Sequence, residues 1–304
     1  MTRPSWLCSR PSPAVWIAIA IAIAAATAAS SQPVPDRTFH VEVTGSGPDV
    51  VLVPGLAGGG AVWDNVVARM ERTNTLHVVT LAGFGGEAPV AASTQDGFLD
   101  AVRTDLVAYV EALDGPAVVM GHSLGGWTAL RVGLAAPAAV SSVVVVDALP
   151  FLAAAQDASV TTAQAREMAG DMKRMMALSS GEQFRLQQEM ALAAMVTDPD
   201  TAAAYLDVHA ASDPATVAQA MFDMLVTDLR GEMPGLAVPT LVLAAGAGYG
   251  ALDEVAVRAL YERQYGAGVR IEVVPESRHF IQLDQPDALV TSVRAFLDAM
   301  ASAQ

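Results

Sequence analysis

Hydrophobic positions follow two alternating patterns along the chain from residue 37 onward. Short β-branched runs predict strands at 40–44, 49–53, 76–81, 117–120 and 140–146. Amphipathic stretches at 61–72, 95–113 and 124–136 predict helices between them. The valine-rich run at 140–146 is typical of a central strand buried on both faces. This order predicts an α/β fold with a mostly parallel sheet that helices cover on both faces.

The pattern changes between residues 150 and 236, where strands are absent and Ala, Met and Gln are frequent. Strand patterns return at 240–245 and 269–274, and a last helix is predicted at 287–300. We therefore expect a core formed by 37–149 and 237–304, with 150–236 inserted as a helical cap. The cap methionines are expected mostly to pack helix against helix and in a minority to line a cavity. They include Met168, Met172, Met175, Met176, Met190, Met195, Met221 and Met224.

The first 30 residues have the composition of a secretory signal. Arg3 and Arg10 precede an apolar run at 14–29, and an A-x-A pattern occupies 26–28. Cleavage near 28–30 and export to the periplasm or the medium are predicted, without stable membrane insertion afterwards. The alternative is an uncleaved membrane anchor, although the run is shorter than the roughly 20 residues that span a bilayer.

Composition narrows the class of protein. Apolar residues make up 53% of the chain and charged residues 16%, which indicates a globular protein. The formal net charge is -15 and no basic cluster occurs, which argues against a nucleic-acid partner. No His and carboxylate cluster has metal-ligand spacing, and the single cysteine, Cys8, lies in the predicted leader. No metal, cofactor or disulfide is expected.

The candidate nucleophile lies in the stretch Gly121-His122-Ser123-Leu124-Gly125, between a predicted strand and a predicted helix. A serine that exposes its hydroxyl at a strand end needs a sharp turn with small neighbours, which Gly121 and Gly125 supply. The N-terminal amides of the following helix point toward the place where negative charge develops in acyl transfer. The motif in this context predicts a serine nucleophile.

Together these segments resemble the α/β-hydrolase superfamily, in its serine-nucleophile, esterase-like and lipase-like branch with a helical cap. The resemblance covers nearly the whole chain after the leader. Pro54-Gly55-Leu56 is similar to the loop that supplies an oxyanion-hole amide in that family. The resemblance implies that the backbone amides of Leu56 and Leu124 hold the oxyanion, and that the partner is a small-molecule substrate.

A serine hydroxyl needs a base within hydrogen-bond reach. His279 lies in a short segment before the last helix, and Arg278-His279-Phe280 is similar to the family's histidine segment. The other four histidines are interpreted differently. His40 and His77 lie in strand runs and are expected to be structural, and His122 is expected to point elsewhere on the turn. His209 is expected at the surface, with contact to substrate as the alternative.

The triad carboxylate is where the chain departs from the family's usual pattern. The common Gly-x-x-Asp turn is replaced by Gly246-Ala247-Gly248-Tyr249. Asp147, at the end of the valine-rich strand, is the preferred candidate because catalytic groups converge at strand ends. Asp253 is the alternative. A third interpretation gives Asp147 only a turn-capping role and leaves the histidine to Asp253 or to no carboxylate.

The predicted function is a serine hydrolase that cleaves a carboxylic ester or lactone of a small, largely apolar substrate through an acyl-enzyme. The fold and triad are shared by other reactions, so thioester hydrolysis, C–C hydrolysis and perhydrolysis remain alternatives. A binding protein that has kept the fold and lost the chemistry is an alternative from a different class.

Overall fold

The computed structural model describes residues 37–248, 250 and 252–302. Within them one sheet has the order β1-β3-β2-β4-β5-β6-β7, with β1 antiparallel to β3 and every other neighbouring pair parallel. The predicted fold class is confirmed. The strands are β1 (Phe39–Gly45), β2 (Asp49–Val53), β3 (Thr75–Leu81), β4 (Ala117–His122), β5 (Val140–Val146), β6 (Thr240–Ala245) and β7 (Arg270–Val274).

Ten α-helices accompany the sheet in the described part of the chain. They are α1 (Asp64–Met70), α2 (Phe98–Glu111), α3 (Leu124–Ala135), α4 (Thr162–Ala177), α5 (Gly181–Met195), α6 (Pro199–Ala210), α7 (Pro214–Val226), α8 (Glu254–Tyr265), α9 (Ile281–Asp284) and α10 (Pro286–Ala301).

The strands are apolar on both faces because helices cover both faces. Successive residues of β2 point to opposite sides, so Val50 and Leu52 pack with α1 and α10, whereas Val51 and Val53 pack with α2 and α3. All four side chains are fully buried. This two-sided burial explains why the central strands have no polar alternation.

Helices α4 to α7 lie between β5 and β6, in the segment where the sequence predicts the inserted cap. Each begins at a polar residue whose side chain accepts a hydrogen bond from the backbone three residues on, which is a strong helix-start signal. The four N-cap residues are Thr161, Ser180, Asp198 and Asp213.

Helix α7 is tied to the core by a buried carboxylate. Asp223 accepts hydrogen bonds from the backbone amides of Leu99 (3.1 Å) and Gly97 (3.3 Å), at the start of α2. It also accepts one from the Gln219 side chain at 2.7 Å. Burial raises the pKa of Asp223, and these donors act in the opposite direction. The contact joins the cap segment to the helix that covers the sheet.

The predicted signal segment, residues 1–30, lies outside the described residues, so cleavage, export and the anchor alternative stay predictions. Among the residues that are described, no helix combines the length and the apolar character needed to cross a membrane.

Candidate active site

Ser123 lies on a sharp turn between β4 and α3. Its backbone has φ 53° and ψ -120°, which an L-residue adopts only under strain. The backbone amide of Ser123 donates a hydrogen bond to the carbonyl of Val146 on β5 at 2.9 Å. The turn therefore holds the serine at the carboxyl edge of the sheet, beside the end of β5.

Gly121 allows this turn because strand and helix approach each other closely there. A Cβ atom placed on Gly121 would lie 2.0 Å from the carbonyl oxygen of Gly125. On Gly125 it would lie 2.2 Å from the carbonyl oxygen of Val53. Both obstacles are backbone atoms, which cannot move aside without deforming the sheet.

Gly121→Ala is expected to lower the free energy of unfolding by about 3 kcal/mol or more, because the added methyl group has no space. Chemical denaturation followed by circular dichroism measures this change. Gly170→Ala is the matched control, since Gly170 lies inside α4 with no heavy atom within 4 Å of the added carbon. It is expected to stabilise the protein by about 0.5 to 1 kcal/mol. Equal stabilities of the two variants would contradict this account of the turn.

Asp147 and His279 are brought together although 132 positions separate them in the sequence. Asp147 follows β5 with φ 50°, and its Oδ2 lies 2.6 Å from Nδ1 of His279. Its Oδ1 accepts hydrogen bonds from the Ala245 amide and the Tyr261 hydroxyl, both at 2.7 Å. The Asp147 side chain is only 1% exposed. These three hydrogen bonds fix the orientation of the buried carboxylate.

Asp253, the alternative carboxylate, has a different contact. It is the exposed N-cap residue of α8, and its Oδ1 accepts a hydrogen bond from the Ala256 amide at 2.8 Å. The geometry therefore favours Asp147 as the partner of His279. The position where the family usually has its acid, Tyr249, lies outside the described residues.

The contact with Asp147 determines which nitrogen of His279 carries a proton. A carboxylate accepts, so Nδ1 of the neutral ring is the donor and Nε2 keeps its lone pair. Ser123 and His279 line the same cavity. An imidazole in this tautomer can accept a proton at Nε2.

His122 supports the segment that carries His279, a role that its sequence position does not predict. Its Nε2 donates a hydrogen bond to the backbone carbonyl of His279 at 3.0 Å, so the imidazole supports the segment that carries the base. Burial holds the pKa of His122 well below its usual value, and the ring is neutral. Gly55 lies against this ring, because a Cβ there would be 2.7 Å from Nδ1 of His122.

The two residues predicted to supply oxyanion amides follow the neighbouring strands β2 and β4. Leu56 follows β2 and lines the cavity, and Leu124 is the first residue of α3. The neighbouring Ala57 has φ 58°, and its carbonyl accepts a hydrogen bond from the Ser212 hydroxyl at 2.9 Å. Because Ser212 follows α6, the cap segment supports the loop of Leu56 directly. The amide roles themselves stay predictions.

Strained backbone is concentrated at this site. The described residues include four non-glycine residues with positive φ, and each adjoins a segment named above: Ala57, Ser123, Asp147 and Glu276, the last of which lies in the loop before His279. Residues in such conformations persist where the surrounding structure enforces them, and they cluster at functional sites.

A cavity of about 430 Å³ lies between the strand ends and the cap segment. Ser123, Asp147 and His279 line it, together with residues from α4, α5, α6 and α7. Its remaining surface is mostly apolar. Of the eight cap methionines named in the sequence analysis, four line it: Met176, Met195, Met221 and Met224. The other four of these eight are exposed to solvent: Met168, Met172, Met175 and Met190. The expectation that most of the named methionines pack helix against helix is therefore wrong.

Two further histidines are placed by their contacts. His77 is buried and bonds the Tyr109 hydroxyl at 2.7 Å and Asp49 at 2.9 Å, which is a structural arrangement. His209 is 2% exposed and lines the cavity, so its predicted surface position is wrong. Helix α6 turns it inward against the ring of Phe280, with the ring centroids 5.7 Å apart.

Comparison with known proteins agrees with this architecture. The model of the family described as alpha/beta hydrolase family matches residues 50–292. The chain therefore belongs to the alpha/beta hydrolase family.

Among the similar proteins is a pimeloyl-[acyl-carrier protein] methyl ester esterase of Nitrosomonas europaea, 28% identical over 269 residues, which cover 84% of this chain and 97% of the relative. The esterase of the same name from Vibrio atlanticus is 31% identical over 71% of this chain and 80% of its own length. The crystal structure of the enol-lactonase from Burkholderia xenovorans superposes with a TM-score of 0.68 at 21% identity, covering 86% of this chain and 96% of that one. Membership of this family and these relatives support hydrolase activity for the chain.

Proposed function

We propose that this protein hydrolyses a carboxylic ester or lactone of a small, largely apolar substrate through an acyl-enzyme on Ser123. The observation that carries the proposal is the 2.6 Å contact between buried Asp147 and His279 at the wall of the cavity that Ser123 also lines. The esterase relatives support ester hydrolysis in general.

In the first step Oγ of Ser123 attacks the carbonyl carbon of the ester while Nε2 of His279 takes the hydroxyl proton. The carbonyl π electrons move to oxygen, and the amides of Leu56 and Leu124 donate hydrogen bonds to the resulting oxyanion. Preorganised donors of this kind contribute about 3 to 4 kcal/mol each to transition-state stabilisation. The buried carboxylate of Asp147 stabilises the imidazolium that forms.

When the oxyanion collapses, the bond to the alcohol oxygen breaks and the leaving group takes the proton from Nε2 of His279. Water then attacks the acyl-enzyme, and His279 removes its proton. Collapse of the second tetrahedral intermediate breaks the bond to Oγ, which regains the proton. The carboxylic acid leaves and the site returns to its initial state.

The proposal predicts hydrolysis of p-nitrophenyl esters by the purified protein, with kcat/KM passing through a maximum as the acyl chain lengthens. A cavity of about 430 Å³ with a mostly apolar wall is expected to favour short and medium acyl chains over long ones. Initial rates across a graded series from acetate to palmitate measure this. A protein that hydrolyses none of the series, and that a fluorophosphonate probe fails to label, would fit the binding-protein alternative instead.

A further inference from the structure

Tyr261 is a fully buried residue of helix α8 whose hydroxyl contacts the candidate triad acid. It donates a hydrogen bond to Oδ1 of Asp147 at 2.7 Å, while Oδ2 of the same carboxylate lies 2.6 Å from Nδ1 of His279. Tyr261 is not among the described residues that line the cavity. It can therefore affect His279 through Asp147 without meeting a substrate.

The carboxylate, and not packing, explains the hydroxyl of Tyr261. The ring belongs to the apolar core, where phenylalanine would fill the same space without burying an oxygen. A buried hydroxyl is tolerated where it has a hydrogen-bond partner, and a carboxylate accepts several hydrogen bonds. The contact thus gives the hydroxyl of Tyr261 a partner and gives the buried Asp147 a donor.

Two donors from different elements converge on one oxygen of Asp147. The Ala245 amide comes from the end of β6 and the Tyr261 hydroxyl from α8, and each lies 2.7 Å from Oδ1. A carboxylate with a single donor on one oxygen can still swing about that hydrogen bond. The second donor removes this freedom, so Oδ2 stays directed at Nδ1 of His279.

A second tyrosine fixes the place of the Tyr261 ring. Tyr265 lies one helical turn further along α8, on the same face of the helix. The two rings are nearly parallel, with an angle of 7° between their planes and 6.2 Å between their centroids. Because Tyr265 is itself held by a hydrogen bond to the carbonyl of Ala148 at 2.8 Å, the Tyr261 hydroxyl is presented to the carboxylate from a rigid support.

We propose that Tyr261 is a positioning residue for the hydrolysis: its hydroxyl keeps the Asp147 carboxylate in the orientation that bonds Nδ1 of His279. It thereby determines how well Nε2 of His279 is placed to take the proton of Ser123. This inference rests on the proposed esterase function and extends the hydrogen-bonded chain beyond the triad to helix α8. Tyr261 neither contacts the substrate nor transfers a proton.

Tyr261→Phe is expected to lower kcat for p-nitrophenyl butyrate by about tenfold or more, because the released carboxylate no longer holds the imidazole in one orientation. Acylation and deacylation both use His279, so both steps should slow together. KM should therefore stay within about twofold of wild type, since the cavity wall is unchanged. Initial rates over a range of substrate concentrations separate kcat from KM.

Tyr265→Phe is the matched control for Tyr261→Phe. It removes one buried hydroxyl from the same helix, but the lost partner is the Ala148 carbonyl and not the carboxylate. The backbone of Asp147 keeps its own hydrogen bond to the Leu243 carbonyl at 2.8 Å. We expect kcat to stay within about threefold of wild type, while the urea midpoint of unfolding falls about as much as in Tyr261→Phe.

A variant that restores a donor completes the series. 4-Aminophenylalanine at position 261 keeps the ring and an N–H group, so it is expected to bring kcat back to within about threefold of wild type. Should Tyr261→Phe fail to fold, this variant carries the test, because its weaker donor still predicts a kcat about two- to threefold below wild type at unchanged KM. Wild-type kcat would then contradict the proposal.

A double-mutant cycle separates an effect through the carboxylate from a merely structural one. In an Asp147→Asn background, Tyr261→Phe should change kcat by less than about twofold, because the group through which the tyrosine acts is already lost. A tyrosine that only stabilises the fold would lower kcat by the same factor in both backgrounds.

Three results would overturn the role of Tyr261 while leaving the esterase function intact: near-wild-type kcat in Tyr261→Phe, an equal loss of kcat in Tyr265→Phe, or the same loss with and without Asp147. Absence of hydrolysis by the wild-type protein, together with absence of fluorophosphonate labelling, would remove the proposed function and this inference with it.

Discussion

Ser123→Ala is expected to lower kcat for p-nitrophenyl esters by about 10⁴-fold or more, because no other group can form the acyl-enzyme. The same substitution should abolish covalent labelling by a fluorophosphonate probe, read by intact-protein mass spectrometry. The folded state should be retained, since alanine removes only an oxygen from the half-buried turn.

Ser46→Ala is the control for Ser123→Ala. Ser46 is exposed in the turn that precedes β2, whereas the cavity lies at the opposite ends of the strands. Its replacement should leave turnover and labelling at wild-type levels. A Ser123→Ala protein that still turns over substrate within tenfold of wild type, or still takes up the probe, would rule out Ser123 as the nucleophile.

Asp147→Asn is expected to lower kcat by about 10⁴-fold. An asparagine amide facing Nδ1 of His279 would donate, which forces the ring into the tautomer that carries its proton on Nε2 and leaves no lone pair for Ser123. Stopped-flow measurement of acylation with an activated ester separates this effect from substrate binding, because KM should change much less than kcat.

The comparison with Asp253→Asn decides between the two carboxylates. Asp253 bonds the Ala256 amide at the start of α8, a role that asparagine performs equally well. That variant should keep near-wild-type kcat. A collapse of kcat in Asp253→Asn with normal turnover in Asp147→Asn would reverse the assignment of the acid.

Much of the fold could be predicted from hydrophobic pattern alone. The bounds of β2, β5 and β6 agree with the predicted 49–53, 140–146 and 240–245 because these strands are apolar throughout and end at abrupt changes in composition. The tight turn at Ser123 could also be predicted, because a predicted strand, Gly121 and Gly125, and a predicted helix together specify it.

Helix α8 is absent from the predicted elements, although the sequence holds its signals. Asp253 is an N-cap, Gly266 follows the helix with φ 70°, and the buried residues recur at helical spacing. Interpreted as an N-cap and not only as a candidate acid, Asp253 predicts the helix and explains why its carboxylate is already hydrogen-bonded.

Other features of the site have no signal in a single sequence. The hydrogen bond from His122 to the carbonyl of His279 joins positions 157 residues apart, and nothing local marks either partner. The inward position of His209 likewise depends on how α6 meets Phe280, which is decided by tertiary packing. Long-range contacts of this kind arise only when the strand ends converge.

The connectivity around Asp147 has a consequence for biosynthesis. The serine turn is complete by residue 135, where α3 ends, but the carboxylate obtains its partners from positions 245, 261 and 279. In the proposed mechanism, the Ser123 hydroxyl is therefore synthesised well before the His279 imidazole that activates it. Under that mechanism the nascent polypeptide carries an unreactive alcohol until its last helices are made, and reactivity appears together with completion of the fold.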